Sequence, residues 1–392
     1  MFLFLRLKRT LILNLIVCSV IFCSNILANA QIPIKVVGDR HTLILLSDGK
    51  VVGWGPCDWG ELGQISAVPQ RRNWATALVS IPLPRKAVDI AAGDASSFAL
   101  LDDGTVVSWG KNLNQMLGTN SKVNLPDGKD GSENPVKVSN LTDVVQIAAA
   151  GTKAVALKKD GTVYYWGNNP ETNTPVKVSE LRNITQISVG SHAMALDSGG
   201  NVWTWGTGYS GALGRVSKTF SVGQVAGLTN VVSIAAGQLV STVVKKDGTV
   251  WVWGSNFQGQ FGNGNRTDAP VSGGLSNEIE TTPQQVAGVR NAVYVTSGLL
   301  GRHTIVLLKD ATLRGWGNTD WGQIGAGVTA DFQLTPVIPK ITGVKAVFAV
   351  QNNTFAIKND NTFWAWGTGW DGEFPLKTNV KLPKLLEMNF SK

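Results

Sequence analysis

The sequence is poor in charge, in cysteine and in histidine, and each shortage closes off a class of function. Only 16% of the 392 residues are charged. No long Lys/Arg run occurs, which argues against an electrostatic track for nucleic acid. Of three cysteines, Cys18 and Cys23 fall in the first thirty residues. Cys57 alone cannot form an internal disulfide, so the fold must be held by its core and by closure. The three histidines, His41, His192 and His303, each stand ten residues before an equivalent hydrophobic position, Val51, Val202 and Leu313. A residue recurring at one framework position reads as structural, bonding a backbone group at a strand start. Spread over separate repeats, the three imply neither a metal cluster nor a Ser-His-Asp arrangement. The glycines form no phosphate loop, because no helix with Lys-Ser/Thr follows them. Asp127 to Glu133 carries oxygen ligands at short spacing but departs from the calcium-loop pattern in length and in Glu placement, so it reads as a solvated loop. No carboxylate pair stands out for general acid–base work. The expectation is a non-enzymatic protein with no catalytic residue, no cofactor and no metal.

What the chain has in excess is glycine, 44 residues, and tryptophan, 14 residues. They are ordered by a repeat seen in Lys245 to Gly262. Asp247-Gly248 predicts a two-residue type I′ hairpin turn. Ser241 to Val244 and Thr249 to Trp253 are its strands, and Ser255 to Gly262 is a Gly-rich exit loop. The Trp-Gly pair ending that hairpin recurs at Trp54, Trp109, Trp166, Trp205, Trp253, Trp316 and Trp366. Self-similarity at this length indicates a repeated supersecondary unit, with insertions confined to loops. The sixth turn reads Asp310-Ala311, where Ala predicts strain or another turn type. The seventh reads Asp360-Asn361, where Asn tolerates positive φ.

Each unit offers four strand candidates: a short segment after Pro (Pro135 to Val138), a strand ending in small residues (Val231 to Gly237), and the hairpin pair. The first unit lacks its Pro-led strand, and Leu382 to Leu386 at the C-terminus resembles one. The fold class is therefore all-β: a seven-bladed β-propeller of four-stranded blades, closed by N- and C-terminal strands sharing a blade, so that no sheet edge stays open. Residues 31–392 form this single domain. Residues 1–30 read as a secretory signal peptide. Arg6, Lys8 and Arg9 precede a largely apolar stretch, and Ala28-Asn29-Ala30 fits the cleavage site. Cleavage removes three positive charges and no negative one, taking the net charge from +8 to +5. It leaves an exported protein, secreted, periplasmic or on the cell surface, with no stable membrane insertion.

The pattern V-x-I-A-A-G, D-G-x-V, W-G, G-Q-L-G, seen as DGTVWVWGSNFQGQFG in the fifth unit and as DGKVVGWG and WGELG in the first, resembles the regulator of chromosome condensation repeats over nearly all of the chain beyond residue 30. The resemblance implies a seven-bladed propeller. Proteins so built include nucleotide exchange factors, a plant ultraviolet photoreceptor and secreted bacterial propellers, and the signal peptide aligns this chain with the last. Fold does not set function here. Trp203, Trp251 and Trp364 lie two residues before a repeat Trp, on the same strand face, which blade packing explains more simply than photoreception.

The exit loops carry the candidate site. Trp59, Leu113, Tyr209, Phe257, Trp321 and Trp370 follow the repeat Trp by four or five residues. Repeat equivalence places them on one face of the disc. The aromatics Trp59, Tyr209, Phe257, Trp321 and Trp370 are candidates for partner binding, with Arg71, Arg72 and Arg266 as rim charges; packing between blades is the competing explanation. The expected protein is a monomer that displays this face to a protein partner, with a glycan as the alternative ligand and no nucleic acid. The rival function is a secreted enzyme acting on polysaccharide or peptide through loop carboxylates.

Overall fold

The computed structural model describes residues 31–63, 74–168, 173–208, 210–216, 221–267, 280–299, 302–368 and 379–388. The signal-peptide segment, Arg71, Arg72, Tyr209 and Trp370 lie outside them.

The hairpin signalled by Asp247-Gly248 forms between Val240–Lys245 and Val250–Gly254. Its turn differs from the type I′ expectation. Gly248 N–H donates to the Lys245 carbonyl and Lys245 N–H to the Thr249 carbonyl, which closes a three-residue loop. Only Gly248 has positive φ, 79°. This is a type I turn followed by a left-handed residue. The cause is Asp247, whose Oδ1 accepts both the backbone N–H (2.9 Å) and the hydroxyl (2.7 Å) of Thr249. The left-handed position is filled in turn by Gly49, Gly104, Gly161, Gly200, Gly248, Ala311 and Asn361. Ala311 keeps the same turn at φ 64°, so the predicted strain is present and the turn type is unchanged.

Seven four-stranded antiparallel sheets follow one another, each ordered innermost to outermost as in sequence. They span residues 33–81, 87–137, 144–177, 184–224, 231–285, 292–337 and 344–385. The protein is an all-β seven-bladed propeller. One part of the expectation is corrected: the chain ends do not share a blade. Blade 1 owns a complete set of strands, because Trp74–Ile81 pairs with Val51–Pro56. Val380–Leu385 pairs with Phe363–Gly367 of blade 7. The physical reason is the exit loop. It turns the chain back antiparallel onto the strand just completed, and only then does the chain cross to the next blade. A unit counted from its Pro-led strand is thus offset by one strand from the blade.

Neighbouring blades are joined by packing and by one recurring backbone bond. The N–H that opens each innermost strand donates to the left-handed turn residue of the preceding blade: Ala87 to Gly49, Val144 to Gly104, Ile184 to Gly161, Val231 to Gly200, Ala292 to Gly248 and Val344 to Ala311, at 2.9–3.1 Å. At the closing seam this position is Pro33, which has no N–H to give. There Val36, Ile44 and Trp54 of blade 1 pack on Val350, Phe355 and Phe363 of blade 7.

Candidate functional site

The exit loops and the turns linking the first and second strands share one face. Their backbones are tied together: Lys111 N–H donates to the Ala95 carbonyl, Ser255 to Leu239 and Asn318 to Arg302. Trp59, Phe257 and Trp321 all lie on this face and are half-buried. The Trp59 N–H donates to Glu61 Oε2 (2.8 Å), and the Trp321 N–H to Gln323 Oε1 (3.0 Å). These local bonds fix the loop tips. Each tip leans onto the next blade. A Cβ on Gly60 would stand 2.8 Å from Glu133 Cα, and one on Gly322 2.6 Å from Lys381 Cα. Trp59 and Trp321 therefore mark the rim at the seams of blades 1/2 and 6/7, whereas Phe257 lies nearer the axis at seam 5/6.

The aromatics are paired with cations that sequence spacing did not reveal. Lys111 and Lys129 Nζ stand 4.3 and 5.3 Å from the centre of the Trp59 ring. Arg302 lies 5.0 Å from the Phe257 ring and donates from Nε to Gln238 Oε1. Arg266, an expected rim charge, lies 5.0 Å over Phe332. Such pairs leave one ring face accessible while holding the ring in place. Leu113, in the short 3-10 turn Leu113–Gln115, is 44% exposed. Toward the axis the same face is polar. Asp39 accepts the Gly151 N–H at 2.8 Å, bridging blades 1 and 3, and burial raises its carboxyl to about 6. Asp127, in the suspected ligand loop, spends its oxygens on Lys129, with Oδ1 taking the backbone N–H and Oδ2 the ammonium at 2.6 Å.

The histidines occupy one structural role, as their common position indicated, but the bond runs through a side chain. His41 Nε2 meets Ser97 Oγ at 2.6 Å, and Ser97 Oγ donates to the Glu61 carbonyl at 2.7 Å. Trp109 Nε1 donates to that carbonyl too, at 2.7 Å. The set recurs as His192, Ser241, Ala212 and Trp253, and as His303, Thr354, Gln323 and Trp366. A histidine of one blade thus bonds a hydroxyl of the next, which bonds the first blade's exit loop. Burial holds His41 and His192 down at about 3, so both are neutral, a state that suits a fixed hydrogen bond. Beneath Trp59, Glu61 and Cys57 are fully buried; burial raises them to about 7 and about 12. Trp203, Trp251 and Trp364 pack partly against the inter-blade cores, and their indole N–H groups donate to Asp197, Thr249 and Thr362.

Comparison with known proteins finds a family likeness over part of the repeat array. The profile described as the Regulator of chromosome condensation (RCC1) repeat matches residues 103–157 and 247–307, and a second profile of that description matches 36–64, 87–115 and 231–260. The matches fall in blades 1, 2, 3, 5 and 6, where the chain is similar to regulator of chromosome condensation repeats. Relatives of this repeat propeller include the Ultraviolet-B receptor UVR8 of Arabidopsis thaliana, 28% identical over 78% of this chain and 82% of that protein. The Regulator of chromosome condensation of Homo sapiens is 28% identical over 86% of this chain and 84% of that protein. Among solved structures, Prp20p of Saccharomyces cerevisiae, studied for its binding to Gsp1p and histones, superposes with a TM-score of 0.73 at 24% identity, covering 92% of this chain and 88% of that one. These relatives are eukaryotic, so they carry the repeat and the fold, and they do not carry the bacterial-type, secreted character expected from the N-terminus.

Proposed function

We propose that this repeat propeller is an exported, bacterial-type member of its family that binds a protein partner through the exit-loop face and performs no chemistry itself. The carrying observation is the set of half-exposed, cation-backed aromatics at Trp59 and Phe257, joined by Trp321, on a single face. Closed blades hold these tips in place before any partner arrives, so little ordering entropy is lost on binding. The N-terminal basic and apolar segment supports export, and the buried histidines, each bonded through Nε2 to a hydroxyl of the next blade, support a scaffold rather than a catalytic role. Similar proteins lend weight to this reading, since Prp20p binds Gsp1p and histones.

The test is affinity capture from envelope and secreted fractions on the immobilised protein, against a Trp59→Ala/Trp321→Ala control, followed by titration of the purified candidate. A single protein whose affinity falls at least about tenfold in the double variant, with melting unchanged, is the expected result. Equal affinity for the variant would move the site off these loops, and retention of glycans alone would overturn the protein-partner reading. N-terminal sequencing of the exported protein is expected to begin at Gln31; an uncleaved, cell-retained chain would refute export.

A further inference from the structure

Blades 1 and 6 carry nearly the same exit loop. Trp54 to Gly63 reads WGPCDWGELG, and Trp316 to Gly325 reads WGNTDWGQIG. The two fold bond for bond. Gly60 N–H donates to the Cys57 carbonyl and Gly63 N–H to Gly60, as Gly322 donates to Thr319 and Gly325 to Gly322. The backbone carbonyls of Glu61 and Gln323 each accept a hydroxyl and an indole N–H from the next blade. Their buried side chains fold back under the aromatic tip and accept the Trp59 or Trp321 N–H. The difference lies in the second atom of the head group. Gln323 Nε2 donates to Asn318 Oδ1. Pro56 stands in the place of Asn318, and Glu61 Oε1 is buried with no hydrogen-bond partner among the described residues. Ionised, this carboxylate is short of donors in a site closed to water; protonated, it is neutral.

The groups around Glu61 do not offset that burial. Desolvation outweighs the backbone N–H bonds that favour ionisation, and Asp58 on the same loop and Arg40 in the turn between the first two strands follow with opposite signs. Cys57 and His41 are neutral. From blade 2, Lys111 and Lys129 stand over the Trp59 ring, and Glu133 approaches Gly60 through its backbone. We propose that Glu61 is a proton-operated lock on the Trp59 tip: protonated, it holds the tip closed on blade 2, and ionised, it releases the tip so that water reaches the carboxylate. Blade 6, with an amide in the same place, has the tip without the lock. The closed tip keeps the carboxyl at about 7, whereas an open tip returns it to the ordinary 4.5. Opening is therefore least below pH 4.5, increases as pH rises through the window and levels off above about pH 7. The exit-loop face thus presents one aromatic tip set by pH and one that is not. That the lock governs docking rests on the function proposed above; the lock itself belongs to the loop and is tested without a partner.

The test is amide hydrogen exchange, read residue by residue by NMR from pH 5 to pH 8, with each rate divided by its intrinsic rate at that pH. The amides of Trp59 and Gly60 report the blade 1 tip, and those of Trp321 and Gly322 report the blade 6 tip in the same molecule. In the wild type, opening at Trp59 and Gly60 is expected to rise on the order of fiftyfold between pH 5 and pH 8, while Trp321 and Gly322 stay flat. Glu61→Gln is expected to flatten the blade 1 response, and Gln323→Glu to create one in blade 6. The wild-type comparison stands even if a variant fails to fold. The proposal is overturned if the two wild-type tips respond alike, if the blade 1 response survives Glu61→Gln, or if it spreads evenly through the strands of blade 1, which would make it global unfolding. A partner whose affinity is indifferent to Trp59→Ala/Trp321→Ala would strike the docking reading and leave the lock in place.

Discussion

Glu61 stands where blades 5 and 6 place Gln260 and Gln323, and its burial makes it the most informative single side chain in the fold. Its carboxyl is raised from 4.5 to about 7. Between those values the folded chain holds a proton that the unfolded chain has released, so stability falls as pH rises through the window and the loss is complete above about pH 7. Glu61→Gln removes that loss. The variant should gain about 2–3 kcal/mol over the wild type at pH 8 and much less at pH 5, measured by denaturant unfolding at both. An equal gain at both pH values would mean that packing, not ionisation, governs the site. His41 and His192 act in the opposite sense. Their folded values lie near 3, below the ordinary 6.5, so their contribution is complete above about pH 6.5 and is lost as pH falls toward 3. At Ala311, φ 64° places a Cβ in the left-handed region where five of the other turns have glycine. Ala311→Gly should therefore raise the unfolding free energy by about 1 kcal/mol, and a loss would show that the turn is unstrained.

At the scale of the element, strands and turns were legible because Trp-Gly and Asp-Gly punctuate each hairpin, and the common histidine position was legible as structural. The turn type was not, because Asp signals both type I and type I′ turns, and the choice was made by a threonine two residues on. The relay was legible in principle and went unread: every blade that offers His41, His192 or His303 is followed by one offering Ser97, Ser241 or Thr354. The cations behind Trp59 and Phe257 could not be read, since Lys111, Lys129 and Arg302 arrive from the following blade at unrelated loop positions. The relay predicts coupling across the seam. Ser97→Ala leaves His41 Nε2 buried without its hydroxyl and should cost about 2 kcal/mol. The same substitution made in a His41→Leu background should cost distinctly less, and strict additivity in the double-mutant cycle would deny the relay.

For the whole molecule, the sequence suggested closure through a blade shared by the two chain ends, because a Pro-led strand was missing at the start and present at the end. The repeat has no marker of blade phase, and a strand can be counted with the hairpin before it or the strand after it. The structure takes the former, so every blade is contiguous, and among the described residues it is side chains that join blades 7 and 1. That seam also lacks the backbone bond found at the other six, since Pro33 has no N–H. The load falls on Phe355, fully buried, stacked on Phe363 at 5.8 Å and edge-on to Trp54 at 6.0 Å. Phe98 does comparable work at the seam of blades 2 and 3, edge-on to Trp166 at 5.9 Å, where the Val144 N–H to Gly104 bond remains. Phe355→Ala and Phe98→Ala should each cost about 3–5 kcal/mol. Their hydrogen-exchange patterns should differ. With Phe355→Ala, the innermost strands of blades 1 and 7 should exchange well before global unfolding, as the ring opens at its one unlatched seam. With Phe98→Ala, exchange should stay nearly uniform over the blades. Matching patterns in the two variants would show that the closing seam is no weaker than the others, and that the missing Pro33 donor is compensated elsewhere in the ring.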